Sequence, residues 1–180
     1  MAFTVVPDKS SGDPVTLAMW DSIKDNLNKG VMRPISTTLV AGSPAASIVF
    51  SGIAADWLDL LVVGSSPSGS ASLVRLNGDS GLNYYSQEFV AAGAGFGVSA
   101  SNTTAAVAGQ HPWVLIPNYT STVMHKCIVA GGIPAANNYD VSRSAAVWAN
   151  TAAVTSVTLV QSAGNWDVGT RMTLYGIAGV

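Results

Sequence analysis

Cysteine and histidine are almost missing from this chain of 180 residues: Cys127 stands alone, and His111 and His125 are the only imidazoles. One cysteine cannot staple a fold, and no Cys/His set has the spacing of a structural zinc site. Charge is nearly as scarce, at 10% of residues where ~25% is ordinary for a soluble domain. Eight Lys/Arg against ten Asp/Glu leave a net charge of −2, so there is no basic field to hold nucleic acid. Residues 89–125 carry no Lys, Arg, Asp or Glu, but Ser99, Asn102, Thr103, Thr104 and Gln110 interrupt them, and no stretch is expected to span a bilayer. The opening MAFTVVPDKSSGDP lacks the basic and apolar regions of a signal peptide, so Sec-type export is not expected.

The few charges are distributed unevenly. Residues 1–33 hold four of the eight basic and four of the ten acidic side chains, leaving ten charges for the other 147 positions. The chain therefore divides into a solvated arm, 1–33, and a neutral body, 34–180. Within the arm, Asp13-Pro14 is a helix start: the carboxylate accepts from unpaired first-turn amides, and Pro fits the first helical position without losing a needed donor. Thr16, Trp20, Ile23 and Leu27 then recur at helical spacing, with Asp21, Lys24 and Asp25 mostly opposite. This predicts one amphipathic helix over about 14–28, ending near Asn28 and Gly30. A helix that short is marginal alone in water, so its apolar stripe must find a surface, on its own body or on a neighbouring subunit. The polar stretch 5–13 before it reads as an extended leader.

After Pro34 the period changes to short β-type runs punctuated by Gly, Pro, Asn and Ser. Candidate strands are 47–53, 57–63, 72–76, 84–90, 113–116, 122–130, 141–148, 154–160 and 171–177. In the last two, Val157 and Leu159, then Met172 and Leu174, alternate with polar or mixed neighbours, as half-buried strands require. Many short strands with no helical pattern among them predict an all-β, antiparallel two-sheet sandwich. Only Arg75, Lys126, Arg143 and Arg171 supply positive charge along these strands, which is little defence for exposed sheet edges. Assembly into a symmetric oligomer that covers the neutral surface is the natural expectation.

Reactive constellations are hard to find. His125 and Cys127 are two residues apart on a candidate strand and so share a face, but two ligands hold no metal unaided; they read as a hydrogen-bonded His and a buried Cys. Serine is plentiful, yet the GxSxG elbow is absent, and GSSPSG (64–69) reads as a turn. Asp56 and Asp59, or Asp79 and Glu88, have no spacing that marks paired-carboxylate chemistry. The oxygen-rich Asn77-Gly78-Asp79-Ser80-Gly81 departs from the EF-hand pattern and reads as hairpin chemistry, and GAGFG (93–97) as a flexible loop with no following helix to receive phosphate. The aromatics, Trp113 and Trp166 among them, read as core or subunit-contact residues, with a sugar-stacking platform as the competing role. No catalytic residue, metal or cofactor is expected.

Three segments together resemble small structural proteins of tailed-bacteriophage virions: DPVTLAMWDSIKDNLN (13–28), LVRLNGDSGLNYYSQ (73–87) and VTSVTLVQSAGNWDVGTRMTLYGI (154–177). HPWVLIPNYTST (111–122) is similar to the middle of the same pattern. The resemblance covers most of the chain and implies a jelly-roll-like β-sandwich preceded by a short helical arm. It also implies a non-enzymatic virion protein, made in the host bacterial cytoplasm and placed on the capsid exterior. Two roles follow from it. A head decoration (cement) protein, commonly a homotrimer, clamps the major capsid protein; a tail-fibre or receptor-binding tip touches host glycans. No long stem, collagen-like repeat or coiled coil joins this body to a fibre, which favours cement. On the cement reading the helix face of Trp20, Ile23 and Leu27 is the docking element; on the receptor reading Trp113 and Trp166 are the sugar contacts. Neither reading involves nucleic acid or a membrane.

Overall fold

A computed structural model describes residues 32–67, 72–90, 99–101, 104–106, 111–132 and 142–178. The arm with its expected helix over 14–28 and the 93–97 loop lie outside the described residues. Among the described residues every regular element is a strand, and every pairing is antiparallel. In chain order the strands are β1 (Met32–Leu39), β2 (Ser47–Phe50), β3 (Asp59–Ser65), β4 (Ser72–Leu76), β5 (Tyr84–Val90) and β6 (Ser99–Ser101). The remainder are β7 (Thr104–Ala106), β8 (Trp113–Ile116), β9 (Lys126–Gly132), β10 (Ser142–Trp148), β11 (Val157–Gln161) and β12 (Arg171–Ile177). They form an eight-stranded sheet, β1-β12-β3-β8-β9-β10-β5-β6, and a four-stranded sheet, β2-β11-β4-β7.

The order is nested: β1 pairs with β12, β2 with β11, β3 with β8 and β4 with β7. Consecutive strands β1 to β4 alternate between the sheets, and the late strands return beside them in reverse. The pairs β5/β6 and β9/β10 extend the large sheet beyond β8. Alternation in sequence explains what is buried. Leu60 and Val62 of β3, Val114 and Ile116 of β8, and Met172 and Leu174 of β12 face inward from the large sheet. Ile48 and Phe50 of β2, Val74 and Leu76 of β4, and Val157 and Leu159 of β11 do so from the small one. All belong to one apolar core, which is the condition for two sheets to stay together.

Strand β1 had no sequence signal because its residues do not alternate. Its side chains are almost all exposed, and it holds by its backbone ladder to β12 and a Thr37–Thr173 hydroxyl pair at 3.0 Å. Pro34, next to a register shift, is tolerated because β1 is an edge strand. The sheet thus begins at Met32, inside the segment read as arm.

Polar side chains secure the crossings between sheets. Asn77, at φ +52°, ends β4; its Oδ1 accepts from the Thr155 and Ser156 amides at 2.7 and 3.1 Å and its Nδ2 donates to the Ala153 carbonyl at 2.8 Å. Few L-residues other than Asn tolerate that backbone while bonding their surroundings. The buried Tyr84 hydroxyl accepts from the Leu76 amide at 2.9 Å, tying the start of β5 in one sheet to the end of β4 in the other. The Tyr119 hydroxyl, also buried, donates to the Ala54 carbonyl in the β2–β3 connection. Replacing Asn77 with Ala strands two amides and strains the turn, and should cost about 2 kcal/mol, or about 4–8 °C in Tm. Thermal unfolding of N77A measures this; an unchanged Tm would remove the side chain from the account.

Candidate interaction surface

Lys126 and Cys127 open β9, and their orientation decides what the large sheet presents to solvent. The Lys126 side chain is buried, with 1% of its surface exposed, and its Nζ donates to the carbonyls of Ser121, Met124 (3.0 Å) and Thr151 (3.3 Å). Burial holds its pKa below the ordinary lysine value. Because Lys126 points in, Cys127 points out and is exposed. The expectation of a buried cysteine is therefore corrected: an ammonium seated on backbone carbonyls takes the inward position, and alternation turns the thiol to the surface.

The same alternation across neighbouring strands builds an outer face that is almost all apolar. One row runs Tyr175, Leu61, Leu115, Val129, Ala145 and Gln87 across β12, β3, β8, β9, β10 and β5. The next, two residues along each strand, runs Thr173, Val63, Trp113, Gly131 and Arg143. On the other side, Cys127, Val147 and Tyr85 are aligned, with Val147 and Tyr85 exposed at 40% and 47%. Trp113 lies flat over Gly131, where a Cβ would fall 2.5 Å from the indole, so only glycine fits beneath the ring. Ala145 is small enough to leave two shallow apolar grooves. One, of about 280 Å³, is bordered by Tyr85, Gln87, Cys127 and Val147; the other, of about 380 Å³, by Val129 and Arg143. Leu82, Val123 and Met124, all exposed, lie in loops leading into β5 and β9 at the Cys127 end of the face.

The residues singled out from the sequence are scattered relative to this face. Trp20, Ile23 and Leu27 lie outside the described residues. Trp113 is half-buried and belongs to the face. Trp166 has none of its surface exposed, and its Nε1 donates to the Leu159 carbonyl at 3.2 Å, so its ring has no face open to a sugar. Sequence reading passed over the face itself, although Leu61, Val63, Leu115, Val129 and Val147 were all visible at the positions opposite the core residues of their strands.

The carboxylates serve the fold. Asp79 accepts from Trp148 Nε1 at 2.6 Å, the Gly81 amide at 2.8 Å and Asn83 Nδ2 at 2.9 Å. The Trp148 bond foremost, then Gly81 and Asn83, hold its pKa below the usual 3.8. Trp148 in turn stacks on Tyr84, with ring centroids 6.4 Å apart, and burial pushes the Tyr84 phenol up to about 12, keeping it a neutral donor. Asp59 Oδ1 accepts from the Asn118 amide at 2.8 Å. Among the described residues no three His, Cys, Asp or Glu side chains gather to hold a metal ion. No helix of the described residues is long and apolar enough to cross a membrane.

Neither a protein-family model nor a curated protein matches the chain.

Because the folded pKa of Asp79 lies below that of the unfolded chain, its stabilisation is complete above pH 3.8 and is lost as pH falls through the lower folded value. Urea midpoints measured from pH 5 downward should therefore drop more steeply in the wild type than in Asp79→Asn, which cannot titrate. Parallel curves would contradict the assignment.

Proposed function

We propose that the chain is a non-enzymatic structural protein of a tailed-bacteriophage virion, a decoration or cement protein that sits on the capsid exterior as a homotrimer and stabilises the shell. The observation that carries this reading is the nested strand order, β1-β12-β3-β8 facing β2-β11-β4-β7. That order supports a jelly-roll wrap, an architecture used by viral capsid and lectin domains. Its large outer face is apolar and almost without charge, a surface suited to burial against protein. Two of its carboxylates, Asp79 and Asp59, accept hydrogen bonds from the fold.

Cement function works by multiplying modest contacts: when several arms of one oligomer engage together, each later contact forms at high effective concentration. The docking elements are the arms, through Trp20, Ile23 and Leu27, meeting the major capsid protein. The competing role, a receptor-binding tip, is supported by the indole of Trp113, which lies flat on the sheet and has the geometry for stacking on a sugar ring. Trp166 supports neither role, since it is core.

The test is binding of the purified protein to capsids lacking decoration. The variant Trp20→Asp/Ile23→Asp/Leu27→Asp should bind at least about tenfold more weakly, the loss expected when an apolar anchor worth about 1.4 kcal/mol is removed. Undiminished binding would take the arm out of the mechanism. A glycan array completes the test: saturable sugar binding abolished by Trp113→Ala would establish the receptor role in place of cement.

A further inference from the structure

We infer that the outer face of the large sheet is the surface through which this chain binds a second copy of itself. The inference deepens the proposed function and rests on its premise of assembly, but it assigns that assembly to particular residues.

The face is broad and apolar enough to mark a site of interaction. Six strands at ~4.8 Å spacing and three rows at ~6.8 Å give it an area on the order of 500 Å². That is within the range of ~300–600 Å² for the largest apolar patch of a monomer, a size that ordinarily marks a site of interaction. The exposed Leu82, Val123 and Met124 continue it at one end. Together they approach the ~800 Å² per partner that stable interfaces bury.

What covers the face must be neutral and broad. The charges at the outward positions of its strands are two cations, Arg143 on β10 and Arg171 on β12, and one anion, Asp59 on β3, so packing subunits through it brings little excess of like charge together. A nucleic acid or an acidic peptide would leave most of it unsatisfied. The arm is the other candidate, because the chain enters the sheet at Met32, beside Ile177. The helix expected over 14–28 is ~22 Å long but only ~10 Å across, so it would cover about half of the three rows. A second β body matches the full width. The arm then remains free for the shell. Trp113 supplies a large, rigid contact with little entropy to lose, and the grooves beside Ala145 accept side chains from the partner.

Native mass spectrometry and sedimentation of the full-length protein test this. The wild type should have a mass that is a multiple of 18.4 kDa, and Leu115→Glu/Val129→Glu should return it to 18.4 kDa. Val147→Lys, at a position already exposed, gives the same readout if the double variant fails to fold, as judged by circular dichroism. The arm variant Trp20→Asp/Ile23→Asp/Leu27→Asp should keep the assembled mass. A monomeric wild type overturns the inference, as does an assembly that survives the folded face variants. Loss of assembly in the arm variant would show that the arm covers the face, which also overturns it. Assembly through this face without capsid binding defeats the proposed function alone; capsid binding by a monomer defeats this inference and the homotrimer but leaves the docking role on the capsid standing.

Discussion

The buried ammonium of Lys126 is the constraint on which the surface of this protein depends. Alternation allows β9 only two orientations, and a shift of one residue would exchange every side chain between core and solvent. With Nζ held by the carbonyls of Ser121, Met124 and Thr151, Ile128 and Ala130 enter the core, while Cys127, Val129 and Gly131 face out. A charge has thereby left the surface. The result is a sheet with an apolar side in each direction: one is used by the core, and the other faces outward.

The crossings show how a charge-poor chain keeps two sheets in register. Asn77 and Tyr84 secure the passage from β4 to β5, and Tyr119 secures the β2–β3 connection through backbone partners. Asp79, Trp148 and Tyr84 form one connected cluster at the first of these, in which a carboxylate, an indole N–H and a phenol satisfy one another's surroundings. Such groups are costly when unpaired and specific when paired, so they select one arrangement of the sandwich. Rigid crossings keep the rows Leu61–Leu115–Val129 and Val63–Trp113–Gly131 aligned, and alignment across strands is what turns separate apolar residues into a continuous surface.

Much of this was legible beforehand. The strands 72–76, 84–90, 113–116 and 171–177 have the boundaries their alternation predicts; Asn77-Gly78 turns the chain at positive φ as its residue types announce, but it carries the chain from one sheet to the other instead of closing a hairpin. Boundaries slipped where polar capture extends a loop: 122–125 reads as strand but belongs to the loop from which the Ser121 and Met124 carbonyls hold Lys126. Strand β1 was hidden because an exposed edge needs no alternating pattern, only a ladder. The interaction face escaped for a different reason. Leu61, Leu115 and Val129 lie far apart in sequence and become neighbours only when β3, β8 and β9 are paired, and non-local pairing is not encoded in any single window of residues. Trp166 took the core role of the two its residue type allows, whereas its neighbour in the sugar hypothesis, Trp113, could be placed on the surface only once Gly131 was known to lie beneath it.

The lone thiol provides the most direct test of the claim that this face is covered by another copy. Cys127 lies on the face, exposed in the single chain. Its rate of alkylation by a maleimide, measured in the native protein and in the same chain unfolded by denaturant, reports whether that position is open. The account predicts a native rate at least about tenfold slower, restored when the assembly is diluted or dissociated, because a covered group reacts only from the open state. A native rate within about twofold of the unfolded one at all concentrations would mean that the face stands open to water, and would contradict the account.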